Sequence, residues 1–96
     1  RQEMSYFPII KILGIEYTII ERQPFHIEDY DMGMSDSIRN EIIIRAGMNQ
    51  DTKESTILHE IIHILSDKMG LSLEENTINC LESGLYSVGY RLKEKL

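Results

Sequence analysis

The hydrophobic periodicity of this chain changes at Asp51, and that change limits what it can fold into. From Pro8 to Ala46 isoleucine and tyrosine fall in short runs, broken by Gly14, Pro24, Gly33 and Gly47. β-branched and aromatic residues between glycine and proline breaks favour strands. Ile9–Leu13 and Ile15–Glu21 read as two strands, or as one strand bent at Gly14. Gln23–Asp31 reads as an acidic loop. Met34–Asp36 and Glu41–Arg45 read as a hairpin closed by the polar turn Ser37-Ile38-Arg39-Asn40.

From Asp51 the apolar spacing becomes helical. Asp51 with Glu54 resembles a capping box, and Gly70 is a helix stop. Between them Ile57, Leu58, Ile61, Ile62, Ile64 and Leu65 cover most of the helix circumference, so this helix is expected to be central and largely buried. Ser72 is expected to open a second long helix, with an inward stripe of Ile78, Leu81, Leu85, Val88 and Leu92. Strands first and helices after predict an α+β fold: a small antiparallel sheet of three to four strands, then a central helix and a second long one. The 96 residues suffice for one domain, residues 1–96.

The charge of −6 excludes the basic surface that direct binding of nucleic acid needs. No apolar run approaches the roughly 20 residues that span a bilayer, and no basic stretch leads into an apolar segment with a small-residue cleavage site. The lone cysteine, Cys80, has no partner for an internal disulfide, which suits a reducing compartment. A cytoplasmic protein is expected, with Cys80 serving in packing. His26 falls in the acidic loop and is expected to be exposed.

The central helix carries His59-Glu60-Ile61-Ile62-His63. Residues four apart share a helical face, so both imidazoles can reach one ion. Glu60 is rotated about 100° from His59, where a carboxylate can take a proton from water on that ion. Two imidazoles and a carboxylate buried on an apolar helix without partners would cost several kcal/mol, which argues that they have a job. A catalytic zinc site takes three protein ligands and leaves one position for water. On the wheel of the second helix Glu75, Asn79, Glu82 and Tyr86 lie within about 40° of one another, beside the apolar stripe. Glu75 is the first choice for third ligand, with Asn79 bonded to the outer nitrogen of a ligating histidine. Glu82 is its rival, at a spacing after His63 that gluzincin aminopeptidases also use. Glu74, an aspartate, or no third protein ligand remain open, as does a plain capping box between Ser72 and Glu75. Tyr86 is a candidate donor to a developing oxyanion or a packing residue.

The run Thr56-Ile57-Leu58-His59-Glu60-Ile61-Ile62-His63, then Gly70-Leu71, then Glu75-Asn76-Thr77-Ile78-Asn79-Cys80-Leu81, then Gly84-Leu85-Tyr86, resembles minimal zincin-like metallopeptidases of phages and mobile elements. These are similar to the ImmA/IrrE-type HExxH zinc peptidases, whose pattern after HExxH is a glutamate followed by x-x-Ala-Asn-x-Phe. Ile78 and Leu81 stand here for Ala and Phe, and the family's Leu-Leu-Met-Pro segment has no counterpart. The resemblance covers the helical half well and the strand half in outline. It implies zinc held by His59, His63 and Glu75, with Glu60 as base, acting on a peptide or protein substrate. On this reading the Glu41–Arg45 strand offers an edge to an extended peptide or is an interior strand. The alternative is a catalytically silent, zinc-containing binding or regulatory module whose acidic loop, Glu28-Asp29-Tyr30-Asp31, meets a basic partner.

Overall fold

A computed structural model describes residues 9–23 and 32–89. The chain forms strands β1 (Ile9–Ile12), β2 (Ile15–Arg22), β3 (Gly33–Asp36) and β4 (Glu41–Arg45), then helices α1 (Gln50–Lys68) and α2 (Glu75–Ser87). This is the α+β order that the change of periodicity predicts. The segment from Pro24 to Asp31, with His26 and most of the expected acidic loop, lies outside the described residues, as does Leu92.

The sheet has four strands in the order β1-β2-β4-β3. β1 and β2 pair antiparallel around Leu13 and Gly14, both at positive φ, as a two-residue hairpin turn of the primed kind requires. β3 and β4 also pair antiparallel, through a turn in which the Asp36 carboxylate accepts from the backbone N–H groups of Ile38 and Arg39. The pairing of β2 with β4 corrects the expectation of an all-antiparallel sheet, because it is parallel, with Ile19 opposite Ile42 and Glu21 opposite Ile44. The composition of the hairpin explains the choice. Ile42-Ile43-Ile44 is a continuous apolar run suited to an interior strand, whereas Gly33-Met34-Ser35-Asp36 is short, contains Gly and Asp, and suits an edge. The hairpin therefore docks by its second strand. Glu41–Arg45 is an interior strand and β3 is the edge.

One face of the sheet, with Ile12, Tyr17, Ile19, Ile42 and Ile44, packs on Ile57 and Ile64 of α1, supported by Ile61 and Leu65. A second cluster, Leu58 and Ile62 with Ile78, joins α1 to α2. At about 100° per residue, the sheet-facing and α2-facing residues of α1 occupy adjacent arcs. The remaining arc carries Thr56, His59, Glu60, His63 and Asp67. The helix is covered on two sides, and its polar arc opens between the sheet edge and α2.

α1 begins two residues earlier than a capping box at Asp51 would place it. Asn49 is the N-cap, its side chain accepting from the N–H of Thr52 at 2.9 Å. The helix ends at Gly70, whose φ of 66° suits the left-handed stop. There the Leu71 N–H reaches Ser66 O at 2.9 Å and the Gly70 N–H reaches Asp67 O at 3.3 Å, a Schellman motif. Ser72 does not open α2: it sits at φ 53° in the connection, and Glu74 is the N-cap, without a side-chain capping bond. The alternative reading of a Ser72–Glu75 capping box is not realised, which leaves the Glu75 carboxylate available elsewhere. The buried Ser66 hydroxyl accepts from the Leu73 N–H at 2.8 Å and pins this connection to the last turns of α1.

α2 departs from its expected packing. Of the stripe expected to point inward, Ile78 is fully buried, while Leu81, Leu85 and Val88 are exposed. The helix is rotated so that Ile78 and the polar stripe at Glu75, Glu82 and Tyr86 face α1. Cys80 is exposed, not packed.

Candidate metal centre

His59 and His63 project from successive turns of α1, their ring centroids 4.9 Å apart. The Glu75 carboxylate, from the first turn of α2, spans them: Oε2 lies 3.0 Å from His59 Nε2, and Oε1 lies 3.0 Å from His63 Nε2. One ligand atom from each of the three residues falls within 4.8 Å of the others. Ligand atoms of a tetrahedral zinc ion, at about 2.0–2.1 Å from the metal, stand roughly 3.3 Å apart. The two contacts across Glu75 are near that spacing, while the full set, within 4.8 Å, would draw together around a shared ion.

Glu82 lies on the other side of the His59 ring, Oε1 being 2.8 Å from Nδ1. Its second oxygen accepts from the Ser55 hydroxyl. An ionised carboxylate only accepts hydrogen bonds, so His59 Nδ1 must donate. In the neutral ring Nε2 is then a bare acceptor facing a carboxylate oxygen at 3.0 Å. Two acceptors are stable at that distance only with a proton or a cation between them. The donor set, two imidazole nitrogens and a carboxylate, matches the preferences of zinc.

The cleft, about 680 Å³ in volume, is also lined from α1 by Thr56, Glu60 and Asp67 and from the sheet edge by Met32, Gly33, Met34 and Ser35. Glu60 is 7% exposed and lines the same cleft as the histidines. Among the described residues no lysine or arginine lines this cleft, whereas Glu60, Asp67, Glu75 and Glu82 all do. Such a lining favours a cation.

Gly33 sets how close β3 comes to Glu60. A Cβ there would stand 2.8 Å from Thr56 Cγ2, 3.1 Å from Ile43 O and 3.6 Å from Glu60 Cγ. Gly33→Ala is expected to destabilise the fold by about 1–3 kcal/mol through overpacking, exceeding the roughly 0.4–1 kcal/mol that the lost flexibility of the unfolded chain returns. Urea denaturation checks this, with a smaller penalty expected in a Thr56→Ala background, where the nearest clashing atom is gone. Equal stability of parent and Gly33→Ala would contradict so close an approach.

The residues singled out in the sequence divide as follows. His59, His63, Glu60 and Glu75 come together. Glu82 meets His59 on the ring side away from Glu75, and takes the place behind a histidine that sequence reasoning gave to Asn79. Asn79 lines the cleft but, among the described residues, makes no hydrogen bond to either ring. Tyr86 points to the start of α1, its hydroxyl 3.2 Å from Asp51 Oδ1, and is not part of the cleft lining. Glu74 is likewise outside it. Ser55 and Asp67 were overlooked, although each lies one helical turn from a histidine, Ser55 before His59 and Asp67 after His63. Gly33 reads in the sequence only as a break between runs, because its packing role depends on a contact between distant elements.

Comparison with known protein families, with curated proteins and with solved structures finds no match to this chain.

Proposed function

We propose that this protein is a zinc-dependent peptidase of the HExxH type, with His59, His63 and Glu75 as ligands and Glu60 as general base. The observation that carries the reading is the Glu75 carboxylate spanning the two Nε2 atoms at 3.0 Å, with Glu60 buried in the same cleft. The resemblance to the ImmA/IrrE-type peptidases supports it independently, through the glutamate-x-x-x-Asn pattern at Glu75 and Asn79.

Zinc held by these residues would supply a Lewis acid and lower the pKa of water beside it toward neutrality. Glu60 would serve as the base that takes a proton from the attacking water and returns it to the amine nitrogen released when the peptide C–N bond breaks. The low exposure of Glu60 keeps its carboxylate out of bulk water, where proton transfer is better directed. β3 offers a place for the substrate backbone. The Arg45 N–H donates to Met32 O at 2.8 Å, and the alternation of an antiparallel pair then turns the N–H and C=O groups of Gly33 and Ser35 away from β4. Among the described residues no strand pairs with that edge. An extended peptide added there would run along the cleft beside Met32 and Met34.

No helix among the described residues is long and apolar enough to cross a membrane. A cytoplasmic setting suits the exposed free thiol of Cys80. The alternative, a silent zinc-containing module, gains no support from Glu60, because a purely structural site has no use for a base beside its ligands.

Activity should depend on the metal in a reversible way. Cleavage of a mixed peptide library by the purified protein is expected to stop after dialysis against a chelator and to return with about one equivalent of zinc. Cleavage that persists in the metal-free protein would reject the proposal.

A further inference from the structure

Glu82 is not needed to complete the three-residue set around the histidines, yet it is held more firmly than an idle surface carboxylate. Both of its oxygens are engaged, one by His59 Nδ1 and one by the Ser55 hydroxyl, and its side chain is only 20% exposed. Ser55 and His59 belong to successive turns of α1, while Glu82 comes from α2, so the contact fixes the His59 ring from a second helix. We infer that Glu82, itself oriented by Ser55, is a positioning residue that holds His59 in the Nδ1–H form and aims its bare Nε2 between His63 and Glu75. The effect on metal binding rests on the zinc reading above; the effect on the tautomer does not.

The two imidazole nitrogens lie on different sides of the ring, so a group on Nδ1 cannot share an ion with Nε2. Glu82 is thereby separated from Glu75 in role as well as in place. A neutral histidine carries one proton and can put it on either nitrogen. An acceptor fixed at 2.8 Å from Nδ1 decides the matter there, and a partly buried setting strengthens the bond. A carboxylate in this position also makes the other nitrogen a better ligand, and loss of such a partner typically weakens metal affinity 10–100-fold. Glu82 is then neither an alternative third ligand nor simply a tie between helices.

Two measurements on the full chain test this. Nitrogen-15 NMR of the histidine rings, in metal-free protein at alkaline pH, reads the tautomer. The parent is expected to show His59 protonated at Nδ1, and Glu82→Ala to move it toward the Nε2–H form. Competition with a chromophoric chelator reads zinc affinity, which should fall about 10–100-fold in Glu82→Ala. Glu82→Gln keeps an acceptor for Nδ1 and should recover the parent tautomer and most of the affinity. Ser55→Ala should weaken affinity less and add nothing further in the Glu82→Ala background. An unchanged tautomer in Glu82→Ala, or zinc affinity equal to the parent's, overturns the inference even if the variant is less stable. A tautomer shift in a chain that binds no zinc in any form would uphold the positioning role and reject the metal reading.

Discussion

Glu60→Gln is expected to bind zinc and fold like the parent while its peptide hydrolysis falls by at least ~100-fold. The substitution keeps the length of the side chain and its hydrogen bonding but removes the basic oxygen. The proposed ligands, His59, His63 and Glu75, are untouched by it. A positioned general acid-base contributes about 10²–10⁴-fold to a reaction of this kind, which sets the size of the loss. If the substrate is a specific protein, the comparison belongs in cells: cleavage products present with the parent and missing with Glu60→Gln mark the substrates. Identical products from both, together with a biological effect that survives the substitution, would favour the silent module.

The second large effect concerns the ion. His63→Ala is expected to abolish stoichiometric zinc, since two of the three ligand contacts cannot hold a tetrahedral site against competing water. Glu75→Gln should weaken binding strongly, because the neutral amide replaces the one carboxylate that faces both Nε2 atoms. Asn79→Ala should change affinity little. Zinc bound only by the folded chain stabilises it by about 4 kcal/mol when free zinc exceeds Kd a thousandfold. For a domain of this size that is on the order of 15–30 °C in melting temperature. Thermal melts with and without zinc should therefore separate widely for the parent and coincide for His63→Ala. Equal zinc-induced shifts in the two proteins would remove His63 from the site.

Much of this site is legible before the chain is folded, for a physical reason. His59, Glu60 and His63 lie on a single helix, and helical spacing converts sequence separation directly into geometry. The strands and their boundaries follow from local composition in the same way. What sequence reasoning missed depends on how elements meet. The parallel pairing of β2 with β4 depends on which strand of the second hairpin docks, a competition between Ile42-Ile43-Ile44 and Gly33-Met34-Ser35-Asp36 that sequence-local rules do not weigh. The orientation of α2 was misjudged because its apolar stripe suggested burial of Leu81 and Leu85, whereas Ile78 and the polar stripe face α1. That rotation is also what separates Glu75 from Glu82: both lie on the side facing the histidines, but one reaches Nε2 of His59 and the other Nδ1. The start of α2 was placed too early because Ser72 looks like a cap, while the Schellman turn at Gly70 carries the chain on to Glu74 before helix resumes.

The most direct test of the central claim is a crystal structure of the zinc-treated protein, with anomalous scattering measured on both sides of the zinc absorption edge. The account predicts one strong peak per chain, about 2.0–2.1 Å from His59 Nε2 and His63 Nε2 and within ligand distance of the Glu75 carboxylate, leaving a side of the ion open toward Glu60. A peak bonded to Glu82 in place of Glu75, or no peak at the histidines in crystals grown with zinc, would contradict it.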